Sequence, residues 1–329
     1  MSRYLGRCAL IALALGMTQP SMPAAAQKYP EKTITIVVSL AAGSGMDTLV
    51  RLYAEKLQES LGKPVVIENK PGAALMLAAA AVATAPPDGY TLLVSTSSAM
   101  AINPVLYKKI NYDHVKDFTP VSFYVKSPFI LVVNPDLPAK TVPELIKLAK
   151  ESPTPLTFSS PGAGVAQHLS IEYMKQRFGL NMTHVPYRST PQSITDIVAG
   201  HVNLGFAEAG ASLPLIREGK LRALAVSSST PIPTLPGVLP FAEAASAPDF
   251  EAVSWHMLFA PAGTPKDIVN KLHAEMTRIM SDPVMKEKAS VIGLLPLNPP
   301  SLPDTEKYLA SEREKWGSLV KKLGLEGTQ

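Results

Sequence analysis

Cysteine is nearly absent: Cys8 is the only one in 329 residues. A single thiol excludes an intrachain disulfide, a cysteine-ligated zinc site and an iron–sulfur cluster. Aromatic residues make up 6% of the chain, too few to build platforms that stack nucleic-acid bases. Neither sign of charge dominates, since 31 Lys and Arg against 27 Asp and Glu leave +4. A dedicated nucleic-acid binder would show a clustered basic excess. No stretch has the roughly 18 consecutive apolar residues of a membrane-spanning helix. The phosphate-binding, zinc-protease and serine-hydrolase signatures G-x-x-x-x-G-K-[ST], H-E-x-x-H and G-x-S-x-G are also missing. The six histidines are scattered without ligand spacing, so neither a metal site nor a cofactor is expected. Proline is the residue in excess, 31 in all against a usual ~5%, and many of these prolines fall at turns or helix starts.

The first residues read as an address. Arg3 and Arg7 precede an apolar run, Cys8–Met17, and the small residues Ala24-Ala25-Ala26 follow. This is the plan of a secretory signal cut after Ala26, with an apolar run too short to span a bilayer. Removing Arg3 and Arg7 takes the charge from +4 to +2 and removes Cys8. The chain is then expected to be soluble, thiol-free and periplasmic.

The remainder alternates strand and helix. Thr33-Ile-Thr-Ile-Val-Val38 is a β-branched run. A helix follows with Leu49, Val50, Tyr53, Leu57 and Leu61 on one face and Gly62 at its end. Val65–Ile67, a helix over Met76–Thr84 and Tyr90–Val94 complete a β-α-β-α-β order, which predicts a mostly parallel sheet. The plan restarts with Phe129–Val133 and a helix opened by the capping box Thr141…Glu144. Leu156–Ser159, a helix around His168–Phe178 and Met182–Val185 come next. Further strands are expected near Val202–Phe206, Arg222–Val226 and Val253–Ala260. Thr264-Pro265 is expected to cap a long helix, and two helices near Pro283–Ile292 and Pro303–Leu323 end the chain.

Two segments share one design: strand, glycine turn, helix, glycine, strand. Gly43 and Gly45 precede a helix ended by Gly62, and Gly162 and Gly164 precede one ended by Gly179. A helix N-terminus carries unpaired N–H groups and about half a positive charge, and glycine lets a ligand come close to the backbone. Two such ends facing across a cleft suit a small carboxylate, although ordinary strand-to-helix turns look the same. His168 is placed either to donate to a ligand or to cap its own helix, and Asp47 either to serve the site or to offset the helix dipole.

Many ordered motifs carry a family resemblance. They include Tyr29-Pro30-x-Lys32-x-Ile34, the Gly43…Asp47 turn, Val65-Val-Ile-Glu-Asn69-Lys-Pro-Gly-Ala73 and Pro87-Asp-Gly-Tyr-Thr-Leu-Leu93. Ser160-Pro-Gly-Ala-Gly164…His168, His184-Val-Pro-Tyr187, Gly219-Lys-Leu-Arg-Ala-Leu-Ala225 and Ala260-Pro-Ala-Gly-Thr-Pro265 follow. Across Tyr29–Leu323 the chain resembles the Bug receptors, the periplasmic receptors of tripartite tricarboxylate transporters.

The resemblance implies an α/β fold of the type II periplasmic-binding-protein kind, with two α/β domains and a ligand cleft between them. Residues 27–127 plus 250–329 would form one domain and 128–249 the other. It implies no catalysis, no cofactor, a monomer, a small-molecule carboxylate as ligand and membrane transporter subunits as partners. The ligand residues implied are Leu40, Ala41, Ala42, Gly43, Ser44 and Asp47 of the first turn, and Ser160, Ala163, Gly164 and His168 of the second. Thr96, Ser97, Arg188, Ala207 and Glu208 lie at neighbouring strand ends. Several positions depart from the family pattern: Ala42-Gly43-Ser44, Gly72-Ala73-Ala74-Leu75, Arg188-Ser189 and Ala207-Glu208 stand where glycines or an aspartate are usual. Side chains in place of glycine predict a drier cleft and a carboxylate with an aromatic or otherwise apolar body. A periplasmic hydrolase using Ser97 or Ser160 with His168, and a sensor subunit for a membrane kinase, are the alternative readings.

Overall fold

The computed structural model describes residues 29–248 and 250–329, so the expected signal segment lies outside the described residues. Strands β1 (Ile34–Val38), β2 (Val65–Asn69), β3 (Thr91–Thr96) and β4 (Phe118–Ser127) come first, with helices α1 (Gly45–Leu61), α2 (Met76–Ala83) and α3 (Asn103–Leu106) between them. Next are β5 (Phe129–Val133), α4 (Val142–Glu151), β6 (Leu156–Ser160), α5 (Ala166–Phe178), β7 (Met182–Pro186), α6 (Thr190–Val198), β8 (Leu204–Glu208), α7 (Ala209–Arg217), β9 (Arg222–Val226) and α8 (Phe241–Ala244). The chain closes with β10 (Ser254–Pro261), α9 (Lys266–Ser281), α10 (Pro283–Val291), β11 (Leu295–Pro296) and α11 (Leu302–Lys322).

These strands form two sheets. The first has the order β11-β4-β10-β3-β1-β2 and the second β7-β6-β8-β5-β9. Read from β2 and from β7, the orders superpose: β2-β1-β3-β10-β4 answers to β7-β6-β8-β5-β9. The repeat expected from the two glycine turns is therefore present in the topology. Each lobe also contains a strand that runs against its neighbours. β10 is antiparallel to β3 and β4, and β5 is antiparallel to β8 and β9. The mostly parallel sheet is thus a mixed one. The reason lies in the path: both odd strands follow a crossing from the other lobe and enter their sheet at the opposite end. One crossing is short, from Ser127 to Phe129, and the other runs from Val226 to Ser254. All the parallel strands consequently point their C-terminal ends at the junction of the lobes, where α/β folds place their ligands.

Sequence and structure differ at particular elements. The sequence offers no period-2 signal for β4, whose Pro120 sits beside a register shift against β10, as proline in a strand requires. Pro214 disguises α7. Thr264 does not cap α9: its hydroxyl donates to the Pro261 carbonyl, and Pro265 is the N-cap residue.

The interior is apolar on both sides of the first sheet. Ile34, Ile36, Leu92 and Val94 are buried with α1 and α9, and Val37, Leu93, Met257 and Phe259 with α2. In the second lobe Leu131, Phe158, Leu204 and Phe206 pack on α4 and α5. This last cluster continues through Ala101, Ile102 and Leu106 of the first lobe to Trp316 and Val320 of α11, so α11 bridges both lobes. Glu312 holds it there. Its Oε2 accepts from the indole N–H groups of Trp255 on β10 at 2.9 Å and of Trp316 at 3.0 Å.

Candidate functional site between the lobes

Two adjacent hollows lie at the junction. The outer cleft has a volume of about 440 Å³ and the inner chamber about 10 Å³. The inner figure is about the room one water needs. Leu40, Leu75 and Pro161 line both and form the partition between them.

The first turn is built on Asp47. Ser44 caps α1, its hydroxyl accepting from the Asp47 N–H at 3.2 Å. The Asp47 carboxylate accepts from the Gly43 N–H at 2.9 Å, from Arg51 Nε at 3.0 Å and from Asn69 Nδ2 at 2.9 Å. Burial alone would raise this carboxyl, but those hydrogen bonds and the Arg51 charge outweigh it and hold it below the usual carboxylate value. Asp47 sits behind the turn and shapes it. Leu40, Ala41 and Ser44 reach the outer cleft, while Ala42 and Gly43 are exposed and outside its lining. Replacing Asp47 with alanine is expected to cost about 2–3 kcal/mol by orphaning its donors. Because the folded carboxyl is depressed, that contribution is complete above about pH 4 and fades as acid protonates the group. Urea unfolding of the variant and the parent at neutral and acid pH checks both statements.

The second turn is knit internally and to the other lobe. Ser160 Oγ meets His184 Nε2 at 2.7 Å and donates to the Gly162 carbonyl, also at 2.7 Å. His168 Nδ1 accepts from the Gly164 N–H at 3.1 Å, and its ring stacks on His184 with centroids 4.0 Å apart. Burial, then the His184 ring and Lys175, hold His168 down to about 3, and burial followed by Lys175 holds His184 down to about 4, so both rings are uncharged. Across the junction Tyr107 donates to the Ala163 carbonyl at 3.0 Å, and the Ala166 N–H donates to Ser98 Oγ at 3.1 Å. Gly164 presses so closely on Leu106 that a β-carbon there would overlap its side chain. Pro161 and Gly162 are the residues of this turn that line the outer cleft.

Among the described residues, Arg188 is the only charged side chain lining the outer cleft. Beside it Ser189 and Thr190 open α6, and the Thr190 hydroxyl is buried without a partner. Opposite lies Pro71–Leu75. Ala73, Ala74 and Leu75 hold φ of 45°, 50° and 73°, a conformation that costs a side-chain-bearing residue about 1–2 kcal/mol each. Three strained residues in a row are retained where they place Leu75, 7% exposed, on the partition.

The inner chamber is lined by Thr96, Ser98, Ser127, Phe129, Val165, Gln167, Glu208, Ser254 and His256, besides the partition. Burial pushes the Glu208 carboxyl up to about 7 and the His256 ring down to about 3. Ser97 lies next to it, its hydroxyl 2.9 Å from that of Ser254. Ala207 packs into the apolar cluster under β5 instead. The sequence departures at Gly72–Leu75 and Ser189 do line the outer cleft, whereas Pro71, Thr190, Pro191, Gln167, Ser254 and His256 were not found by sequence reasoning. The Thr190-Pro191 helix start was the one local signal available.

A family profile described as "Tripartite tricarboxylate transporter family receptor" matches residues 49–325. The chain belongs to this family. Its solved neighbours agree. Rpa4515 of R. palustris, determined with adipate, is 33% identical with a TM-score of 0.86, covering 90% of this chain and 98% of that one. The periplasmic binding protein BugD is 31% identical with a TM-score of 0.84, over 91% and 99% of the two chains. MatC of Rhodopseudomonas palustris, with bound malate, is 31% identical with a TM-score of 0.82, over 89% and 100%. The family is one of transporter receptors, not of enzymes, and the receptor has the fold of its periplasmic members.

Proposed function

We propose that this receptor captures a small dicarboxylate with an apolar body between its lobes and delivers it to membrane transporter subunits. The observation that carries this reading is the lining of the outer cleft: one cation, Arg188, among apolar walls made by Leu40, Leu75, Pro161 and Tyr187. Arg188 and the N-terminus of α6 face one carboxylate, since a guanidinium and helix N–H groups both favour an anion. The two glycine turns frame the passage, with the N-terminus of α1 behind Ser44 on one side and that of α5 behind Val165 on the other. Leu40 and Leu75 then cover the ligand's body, and its second terminus points to the inner chamber. Relatives determined with adipate and malate support a dicarboxylate. The domains of this reading are 27–127 plus 250–329 and 128–249, hinged at the two crossings, and the protein works as an exported periplasmic monomer.

A thermal-shift panel tests the ligand class. Adipate and phthalate are expected to raise Tm, because a ligand at 100 times its Kd adds about 2.7 kcal/mol to stability. Stabilisation by citrate or aspartate with none by adipate or phthalate would sink the apolar-body reading. Arg188→Ala is expected to weaken binding by about 10–100-fold, the loss of a charge-assisted contact.

A further inference from the structure

The inner chamber holds polar side chains that have no hydrogen-bond partner among the described residues. Glu208 is 7% exposed and Gln167 5%, both line the chamber, and neither side chain makes a hydrogen bond to another described residue. His256, 2% exposed, has its Nδ1 buried without a partner. Buried polar groups are nearly always paired; His256 Nδ1 is fully enclosed and unpaired, while the Glu208 and Gln167 side chains line the chamber with their polar ends still accessible, so this junction is a place where something else completes the bonding. The backbone repeat supports this location: Thr96 ends β3 and Glu208 ends β8, which hold matching places in the two sheets.

No lysine or arginine among the described residues lines the chamber. The chamber as it stands has room for about one water, so a ligand carboxylate reaches Glu208 by displacing the partition of Leu40, Leu75 and Pro161, and there it meets the Glu208 carboxyl with no cation between them. Two carboxylates in one buried site cannot both stay ionised. We propose that the receptor takes up one proton with each dicarboxylate it captures, the ligand's inner carboxylate and the Glu208 carboxyl sharing that proton in a single hydrogen bond. This deepens the receptor reading above and rests on it. The pair then carries one negative charge instead of two, and no other atom changes its bonding. The Gln167 amide and the chamber hydroxyls donate to the remaining oxygens.

The groups around Glu208 are consistent with this chemistry. His256 on β10 is the other titratable side chain in the lining, and burial keeps it neutral. β4, β5 and the π-helical turn after β3 contribute Ser127, Phe129 and Ser98, and α5 contributes Gln167, none of them charged. The N-terminus of α7, which Glu208 immediately precedes, favours the ionised form, but the Glu208 side chain makes no cap bond to it. Burial prevails and leaves the free receptor's carboxyl titrating at about 7. Ligand carboxyls alone titrate near ~4. Below about pH 7 the proton is therefore already on Glu208, and above it the proton must come from solvent when the ligand binds.

Calorimetry of the full-length receptor with adipate, in two buffers of different ionisation heat, counts the protons. Uptake should approach one per adipate at about pH 8 and fall toward zero at about pH 6, with Kd rising about tenfold per pH unit above pH 7. Glu208→Gln should bind adipate with no uptake and a flat pH profile, while His256→Gln keeps the wild-type uptake. Wild-type binding with no proton uptake and a flat Kd overturns the proposal, whatever the variants do. So does uptake that survives in Glu208→Gln. Absence of binding to adipate, malate and phthalate at both pH values overturns the proposed dicarboxylate ligand, and the shared proton with it.

Discussion

Replacing Glu312 by alanine is expected to destabilise the protein by about 3–5 kcal/mol, the cost of leaving two buried indole donors unpaired beside a new cavity. Glu312 is 5% exposed and accepts two indole N–H groups on one oxygen. Its other oxygen is 3.5 Å from Lys315 Nζ. Without it the indoles of Trp255 and Trp316 lose their only acceptor in a site closed to water, and a cavity replaces the side chain. Trp255 belongs to the first sheet, whereas Trp316 packs in the cluster that runs into the second lobe. The damage should therefore extend to both lobes. Glu312→Gln keeps a carbonyl oxygen for the indoles and should lose less, about 1–2 kcal/mol. Urea unfolding followed by tryptophan fluorescence measures both, and a loss below about 1 kcal/mol for the alanine variant would contradict the account.

Gly293→Ala is expected to weaken adipate binding by about 100-fold or more, equivalent to roughly 2.7 kcal/mol or more. Gly293 has φ of +79°, and a β-carbon there would overlap the β-carbon of Ala209. The two residues belong to different lobes: Gly293 lies between α10 and β11, and Ala209 opens α7. The overlap exists only while the lobes are together, so the substitution disfavours the closed form and the affinity that depends on it. Part of the cost is local, because alanine in the left-handed region is strained by about 1–2 kcal/mol. The double variant Gly293→Ala/Ala209→Gly separates the two. It removes the overlap and keeps the strain, so it should recover most of the affinity and little of the stability. Equal affinity of the single and double variants would show that the contact does not govern closure.

Much of the fold was legible because its signals are local. The β-branched run before Ser39, the glycine that ends α1 and the capping box at Thr141 each act within one or two turns of chain. The strand order was half legible. Parallel β2-β1-β3 follows from β-α-β-α-β, but β10 takes its place beside β3 only because the chain returns from another lobe. The same distinction divides the site. Arg188, Glu208 and the two turns stand at ends of regular elements and could be named. Gln167, Ser254 and His256 face the chamber by virtue of how two sheets meet, which no window of sequence records. Leu75 is different again. The glycine-to-leucine departure was visible, yet its left-handed backbone and its place in the partition required the three-dimensional path.

The position of β10 also governs when the molecule can be finished. It lies in the interior of its sheet, between β3 and β4, yet it is among the last strands in the chain. A polypeptide growing from its N-terminus carries β3 and β4 with a gap between them until residue 261 has been made. The second lobe, by contrast, has all its strands within Phe129–Val226 and depends on no later strand. The inserted lobe's sheet can therefore form while its host is still open, although its apolar cluster is completed by Trp316 and Val320 of α11, and the host closes around a strand delivered by the lobe it contains. Assembly order in this receptor is the reverse of what chain order suggests: the part begun first is completed last.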